Sequence, residues 1–129
     1  MANCSRDWFN QGLRDLEQAE DFAQAGRHEW ACFAAQQAAE KAVKALHLHF
    51  GQESWGHVVV QLLHELPILV VVPPDLAEKR GVLDNFYIPT RYANSHPVRA
   101  PYEHYRLLQS RETIQYACEI VEFVRLQIA

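Results

Sequence analysis

Apolar residues recur along most of this chain at intervals of three and four, the spacing that gathers them on one side of an α-helix. Phe9, Leu13, Leu16, Ala19 and Ala23 share such a stripe, while Arg14, Asp15, Glu17 and Asp21 fall elsewhere. The pattern predicts a helix over 6–25, with Ser5 or Asn3 as cap and Gly26 as stop. A second helix is predicted over 28–50, closed by Gly51. Ala31, Ala34, Ala35, Ala38, Ala39, Ala42, Ala45 and Leu46 make it small-sided on two faces, so neighbours can approach closely and it reads as the central helix. Residues 55–66 read as a third helix, with Val59, Leu62, Leu63 and Leu66 inward and Pro67 as terminator. The β-branched run 68–72 has no partner strand anywhere and is read as a helix end or buried connector. After Pro73-Pro74 a short helix is predicted over 75–85, with Leu76, Val82 and Leu83 apolar. A long last helix is predicted from Pro101 to about residue 127, with Ile114, Ala117, Val121, Val124 and Ile128 inward. The expectation is all-α: one domain, an up-down bundle of four to five helices.

Between the last two helices the pattern breaks. Residues 87–102 read YIPTRYANSHPVRAPY, with Arg91, Tyr92, Asn94, Ser95, His96 and Arg99 hemmed in by Pro89, Pro97 and Pro101. Proline fixes its own φ and disfavours helix in the residue before it, so this connection has restricted freedom. A guanidinium and an imidazole with four residues between them are the chemical content of that loop.

Charge sharpens the picture. The chain carries a formal −4, but the stretch from Lys79 to Arg111 holds six bases against two acids, a net +4 that leaves −8 on the rest. A basic stretch containing the loop suits a phosphate-bearing partner; a solvated helix face with ion pairs is the plainer alternative. No apolar run approaches the roughly 18 residues of a membrane span, and the N-terminus has no signal-peptide pattern. Cys4, Cys32 and Cys118 are scattered and odd in number, which suggests reduced thiols in a cytoplasm, with Cys32 and Cys118 in the core.

Imidazole moves protons near neutral pH and guanidinium holds and neutralises phosphate oxygens. Arg91 and His96 together suit phosphodiester cleavage without a metal: a 2′-hydroxyl activated by base, a pentacovalent phosphorus stabilised by Arg91, and a leaving oxygen protonated. One histidine does not easily serve as base and acid at once, so two copies across a dimer make chemical sense. In the alternative, Arg91 pairs with a helix carboxylate and His96 caps a carbonyl. Other constellations are weaker. The seven histidines include no H-E-x-x-H; His57 and His64, seven apart and so two turns along one face, are the pair a zinc would use, but solvated or core histidines are the better reading and no metal site is expected. No glycine-rich phosphate loop is present, and no cofactor is expected. Ser54 and Ser110 have no visible base partner. Glu40 and Lys41, inside the alanine stripe, read either as a charge pair at a helix–helix or subunit seam or as a solvated pair.

Three features resemble the HEPN domain family (higher eukaryotes and prokaryotes nucleotide-binding). They are the W-F-x(3)-L-x-x-L opening from Trp8 to Leu16, the Gln36-Gln37-Ala38-Ala39-Glu40-Lys41-Ala42 run followed by Lys44-Ala45-Leu46, and the stretch Asp84 to Tyr92 followed by Asn94-Ser95-His96-Pro97. The resemblance implies a four- or five-helix bundle that forms a homodimer and brings two R-x4-6-H loops together. In active members such loops form a metal-independent endoribonuclease site, often in toxins neutralised by a minimal nucleotidyltransferase partner or in other defence systems. By position Arg91 and His96 match the two motif residues, with Tyr92, Asn94 and Ser95 as substrate-orienting candidates. Val98 stands where the modified toxins carry a tyrosine, so nucleotidylation there is not expected. The resemblance also admits a non-catalytic module that binds a nucleotide or the nucleotidyltransferase partner.

Overall fold

The computed structural model describes residues 4–52, 56, 59–66, 70–87 and 89–129, and every structural statement below concerns these. Among them five α-helices and no strand are found: α1 (Ser5–Gln24), α2 (His28–His49), α3 (Val59–His64), α4 (Pro74–Asp84) and α5 (Leu107–Ile128). None is long and apolar enough to cross a membrane.

The alanine-rich helix is central, as its composition predicts, and α2 packs against each of the other four. The seven alanines of its two small-sided faces are all buried, and so are Val43 and Leu46. Small side chains here exchange area per residue for close approach. On α1, Gly12 lies so near α2 that a Cβ would stand 3.1 Å from the Ala38 carbonyl oxygen and 3.4 Å from the Ala42 nitrogen. The Ser5 hydroxyl donates to the Ala45 carbonyl at 2.8 Å, which fixes α1 antiparallel to α2. That bond displaces the predicted cap: Ser5 is a buried first residue of α1, Cys4 takes the cap position without a side-chain bond, and Asn3 lies outside the described residues. The buried line on α1 runs Ser5, Phe9, Gly12 and Ala19, with Leu16 partly buried, so Leu13 sits at its flank and is exposed.

Both predicted glycine stops hold. Gly26 (φ 76°) and Gly51 (φ 74°) are left-handed. At each end two amides turn back to the last carbonyls: Arg27 to Phe22 and Gly26 to Ala23, then Gln52 to His47 and Gly51 to Leu48.

Within the predicted third helix the described helical part is α3, and Ser54, Trp55, His57 and the predicted terminator Pro67 lie outside the described residues. Val59, Leu62 and Leu63 are buried, and the Val59 amide donates to the Asp84 carboxylate at 2.6 Å, tying α3 to the end of α4. Buried His47 meets the Leu62 carbonyl at 2.6 Å, tying α3 to α2. Of the run 68–72 the described part is non-helical connector, with Val70 and Val72 against the core and Val71 exposed.

The last helix starts later than predicted. Pro101–Glu103 form a separate 3-10 turn, Arg106 is extended (φ −129°, ψ 177°), and α5 begins at Leu107. The reason is local: Gln109 Oε1 accepts from the Arg106 amide at 3.0 Å and caps the new start. Meanwhile the rings of His104 and Tyr105 turn toward the loop instead of extending a helix. On α5, Ala117, Val121 and Val124 are buried as predicted, Ile120 and Phe123 join them, and Ile114 and Ile128 pack at the margin.

Candidate functional site

The loop between α4 and α5 is built from side chains that bond to its own backbone. Buried Thr90 donates to the Phe86 carbonyl at 2.7 Å. Arg91 donates from Nε and Nη2 to one acceptor, the Tyr87 carbonyl, at 3.0 and 2.9 Å. Its guanidinium carbon stands 4.2 Å from the Phe33 ring centre, 4.8 Å from that of Tyr87 and 5.1 Å from that of Tyr92. Phe33 belongs to α2, so the central helix supplies the wall that positions the cation. Three aromatic faces stabilise the charge without neutralising it. No carboxylate pairs with Arg91 among the described residues. Of its five N–H donors, three remain for an anion.

His96 follows a 3-10 turn over Ala93–Ser95. Its Nε2 lies 2.6 Å from the Pro89 carbonyl, two residues along from the carbonyl that holds Arg91. A carbonyl only accepts, so Nε2 carries the proton and the neutral ring offers Nδ1 as a base. His104 repeats the arrangement, with Nε2 2.7 Å from the Val98 carbonyl. The two imidazoles stack face to face, with centres 4.1 Å apart and planes within 12°. Tyr105 meets His96 edge-on at 6.0 Å and Phe86 at 5.8 Å. Burial, with a smaller contribution from Cys32, pushes its phenol up to about 12, so Tyr105 stays a neutral hydroxyl.

The structure therefore brings Arg91 and His96 onto one turn and sets Tyr92 against the guanidinium. Asn94 and Ser95 are exposed on the intervening turn, and their side chains make no hydrogen bond among the described residues. The carboxylate pairing considered for Arg91 is replaced by a backbone carbonyl; the carbonyl contact considered for His96 is present. His104 is the residue that the sequence pattern hid, because Pro101 reads as the start of a helix that would carry it. Gln109, three residues past Arg106, was the available signal.

Other sequence candidates resolve differently. Ser110 does have an imidazole neighbour, His28 Nδ1 at 2.9 Å, but its hydroxyl donates to the Leu107 carbonyl and is fully buried. Nδ1 must then donate to it, which makes the pair a tie between α2 and α5. Glu40 and Lys41 do not pair with each other: buried Glu40 faces Lys44 at 3.4 Å, and Lys41 bonds Asp15 of α1. Among the described residues no three His, Cys, Asp or Glu side chains converge as metal ligands.

Comparison with known proteins agrees with this architecture. The HEPN domain profile matches residues 5–127. A crystal structure from Thermus thermophilus is 46% identical, with 98% of this chain and 99% of that chain covered and a TM-score of 0.96. An archaeal HEPN homologue is 38% identical, covering 100% of both chains, with a TM-score of 0.84. An HEPN domain protein from Thermotoga maritima is 31% identical over 92% of this chain and 94% of that one, with a TM-score of 0.74. No curated protein matches. The profile spans nearly all of this chain and the three structures nearly all of both chains compared, and the chain belongs to the HEPN domain family.

Proposed function

We propose that this chain is a metal-independent endoribonuclease acting through Arg91 and His96, with a homodimer as its working assembly. The observation that carries the reading is Arg91: a guanidinium fixed by a carbonyl and three rings, lacking a carboxylate among the described residues, on the same turn as an imidazole held through Nε2, with no hydrogen bond to Nδ1 among the described residues.

The chemistry follows from these groups. His96 Nδ1 takes the proton of a ribose 2′-hydroxyl, and that oxygen attacks the adjacent phosphorus. Arg91 neutralises the charge that builds on the phosphoryl oxygens. The P–O5′ bond breaks, giving a 2′,3′-cyclic phosphate, and the leaving 5′-oxygen takes a proton from an imidazolium. His104 on the same loop supplies that second imidazole, in addition to the copies a homodimer would bring. Tyr92, Asn94 and Ser95 line the exposed side of the turn and orient the substrate. DNA lacks the nucleophile and is not cleaved.

The test is cleavage of a mixed RNA pool in EDTA by wild type and His96→Ala, with the ends mapped. Cyclic-phosphate and 5′-hydroxyl ends from wild type alone are expected; cleavage that survives His96→Ala overturns the assignment. The bidentate hold on Arg91 also favours a second reading, a non-catalytic clip for a nucleotide or for a minimal nucleotidyltransferase partner. It predicts saturable binding without turnover, weakened by Arg91→Ala.

A further inference from the structure

Beside the stacked histidines lies a surface groove of about 460 Å³, lined by Arg99, Tyr102, Glu103, Tyr105 and Arg106. Its wall is shared with the site already described, since the Tyr105 ring that lines it also meets His96 edge-on. Arg99 and Arg106 are exposed and make no ion pair among the described residues, so the lining carries two open guanidinium groups against the Glu103 carboxylate. Tyr102 is 64% exposed and stacks on no other ring among the described residues. The groove lining thus combines an open aromatic ring with two cations, the pairing that takes a base and its flanking phosphates.

The backbone shows how this arrangement is held. Among the described residues Arg99 is the one non-glycine residue with left-handed backbone, φ 67°. The carbonyl that precedes it, Val98, is the acceptor of the His104 Nε2 proton. The histidine stack thus clamps the turn that presents Arg99. Strain of this kind persists where the surroundings over-determine it, and here they set a cation at the rim of a groove.

From this geometry we infer a second substrate subsite: the groove binds the nucleotide next to the scissile phosphate in single-stranded RNA. Arg99 and Arg106 take the flanking backbone phosphates, and Tyr102 offers its face to the unpaired base. Aromatic stacking tolerates any base, while a duplex keeps its bases stacked on each other and gains less. The inference rests on the nuclease reading for its position relative to the cut, but binding can be read without cleavage.

The probe is a fluorescein-labelled ten-nucleotide single-stranded RNA, followed by anisotropy on the His96→Ala protein. Adding Arg99→Ala and Arg106→Ala should weaken binding about ten-fold or more and reduce the slope of log affinity against log salt by about 1.4, the value for two phosphates. Adding Tyr102→Ala should weaken it on the order of ten-fold with little change in slope. All three side chains are exposed and Arg106 caps α5 through its main chain, so unchanged thermal melts are expected. Unchanged affinity and slope in the arginine variant overturn the subsite while leaving the nuclease reading to its own assay. RNA binding lost with the arginines, from a wild type that cleaves nothing, upholds the subsite and removes the nuclease. No binding of the decamer by the His96→Ala protein overturns the subsite outright.

Discussion

The pair α1–α2 and the loop after α4 are held together by opposite means. Between the two helices, cohesion comes from backbone proximity: alanines, a glycine at 3.1 Å from a carbonyl, and one buried serine hydroxyl. In the loop hardly any side chain is fully buried, and order comes from Thr90, Arg91, His96 and His104 each bonded to a carbonyl of the loop itself. The helix pair commits its buried faces to packing and lends the candidate site a ring, that of Phe33. The loop uses polar side chains to build its own shape and still leaves one side of each open: three N–H groups on Arg91 and Nδ1 on each imidazole. The lesson is that stability and function should separate by region.

The largest effects should break along that line. Leu46→Ala, in the fully buried stripe of α2, should cost about 2–5 kcal/mol in denaturant unfolding. RNA cleavage below the new melting temperature should be little changed. His96→Ala should do the reverse, lowering cleavage by about 10²-fold or more while the melt moves only slightly. If Leu46→Ala abolished cleavage while the fold persisted, the two regions would be coupled and the separation wrong. Arg91→Lys comes next. An ammonium cannot bond one carbonyl through two nitrogens while lying flat among three rings, so cleavage should fall on the order of 10²-fold although the charge is kept. Equal rates for Arg91→Lys would mean that charge alone suffices.

Gly12→Ala probes the helix pair more gently. Alanine gains about 1 kcal/mol in helix propensity, but its Cβ meets backbone rather than a movable side chain, and overpacking costs about 1–3 kcal/mol. A net loss is expected, seen as a melting temperature lower by a few degrees, with no change in cleavage. A gain in stability would show that the α1–α2 spacing is softer than the packing implies.

These same two regions differ in how much the sequence disclosed. Periodicity located α1, α2 and α5 and most of their buried faces, because a helix buried on one side writes its geometry directly into the spacing of its apolar residues. Gly26 and Gly51 were legible for the same reason, since a left-handed residue restricts the side chain allowed there. The loop was legible only as a place. Arg91 and His96 stood out by residue type, but the three rings around Arg91 come from Phe33, Tyr87 and Tyr92, and no local spacing links residue 33 to residue 91. His104 was hidden by a helix predicted to open before its true start, because Pro101 is as good an opening for a 3-10 turn as for an α-helix. Ser5 failed as a cap for a related reason: its hydroxyl found a carbonyl forty residues away, at Ala45.

The smallest effect compares the regions through their protons. Burial pushes the Cys32 thiol, on α2, up to about 11 from an ordinary 9.0, and Tyr105, in the loop, up to about 12 from 10.0. Each group stays protonated in the folded chain over a range where the unfolded chain would ionise. Their contribution to stability is therefore complete below pH 9 and is lost as pH rises, first through the window from about 9 to 11 and then from about 10 to 12. Cys32→Ala should lessen the early part of that alkaline loss, which Cys118, its thiol also raised by burial, shares, and Tyr105→Phe should lessen the later part. Because Cys32 also acts on Tyr105, the double variant should flatten the curve by less than the sum of the two. Melting temperatures in small pH steps across the alkaline range read this directly. Strict additivity would place the two groups in independent surroundings and show that the central helix and the loop meet less closely than Phe33 and Arg91 suggest.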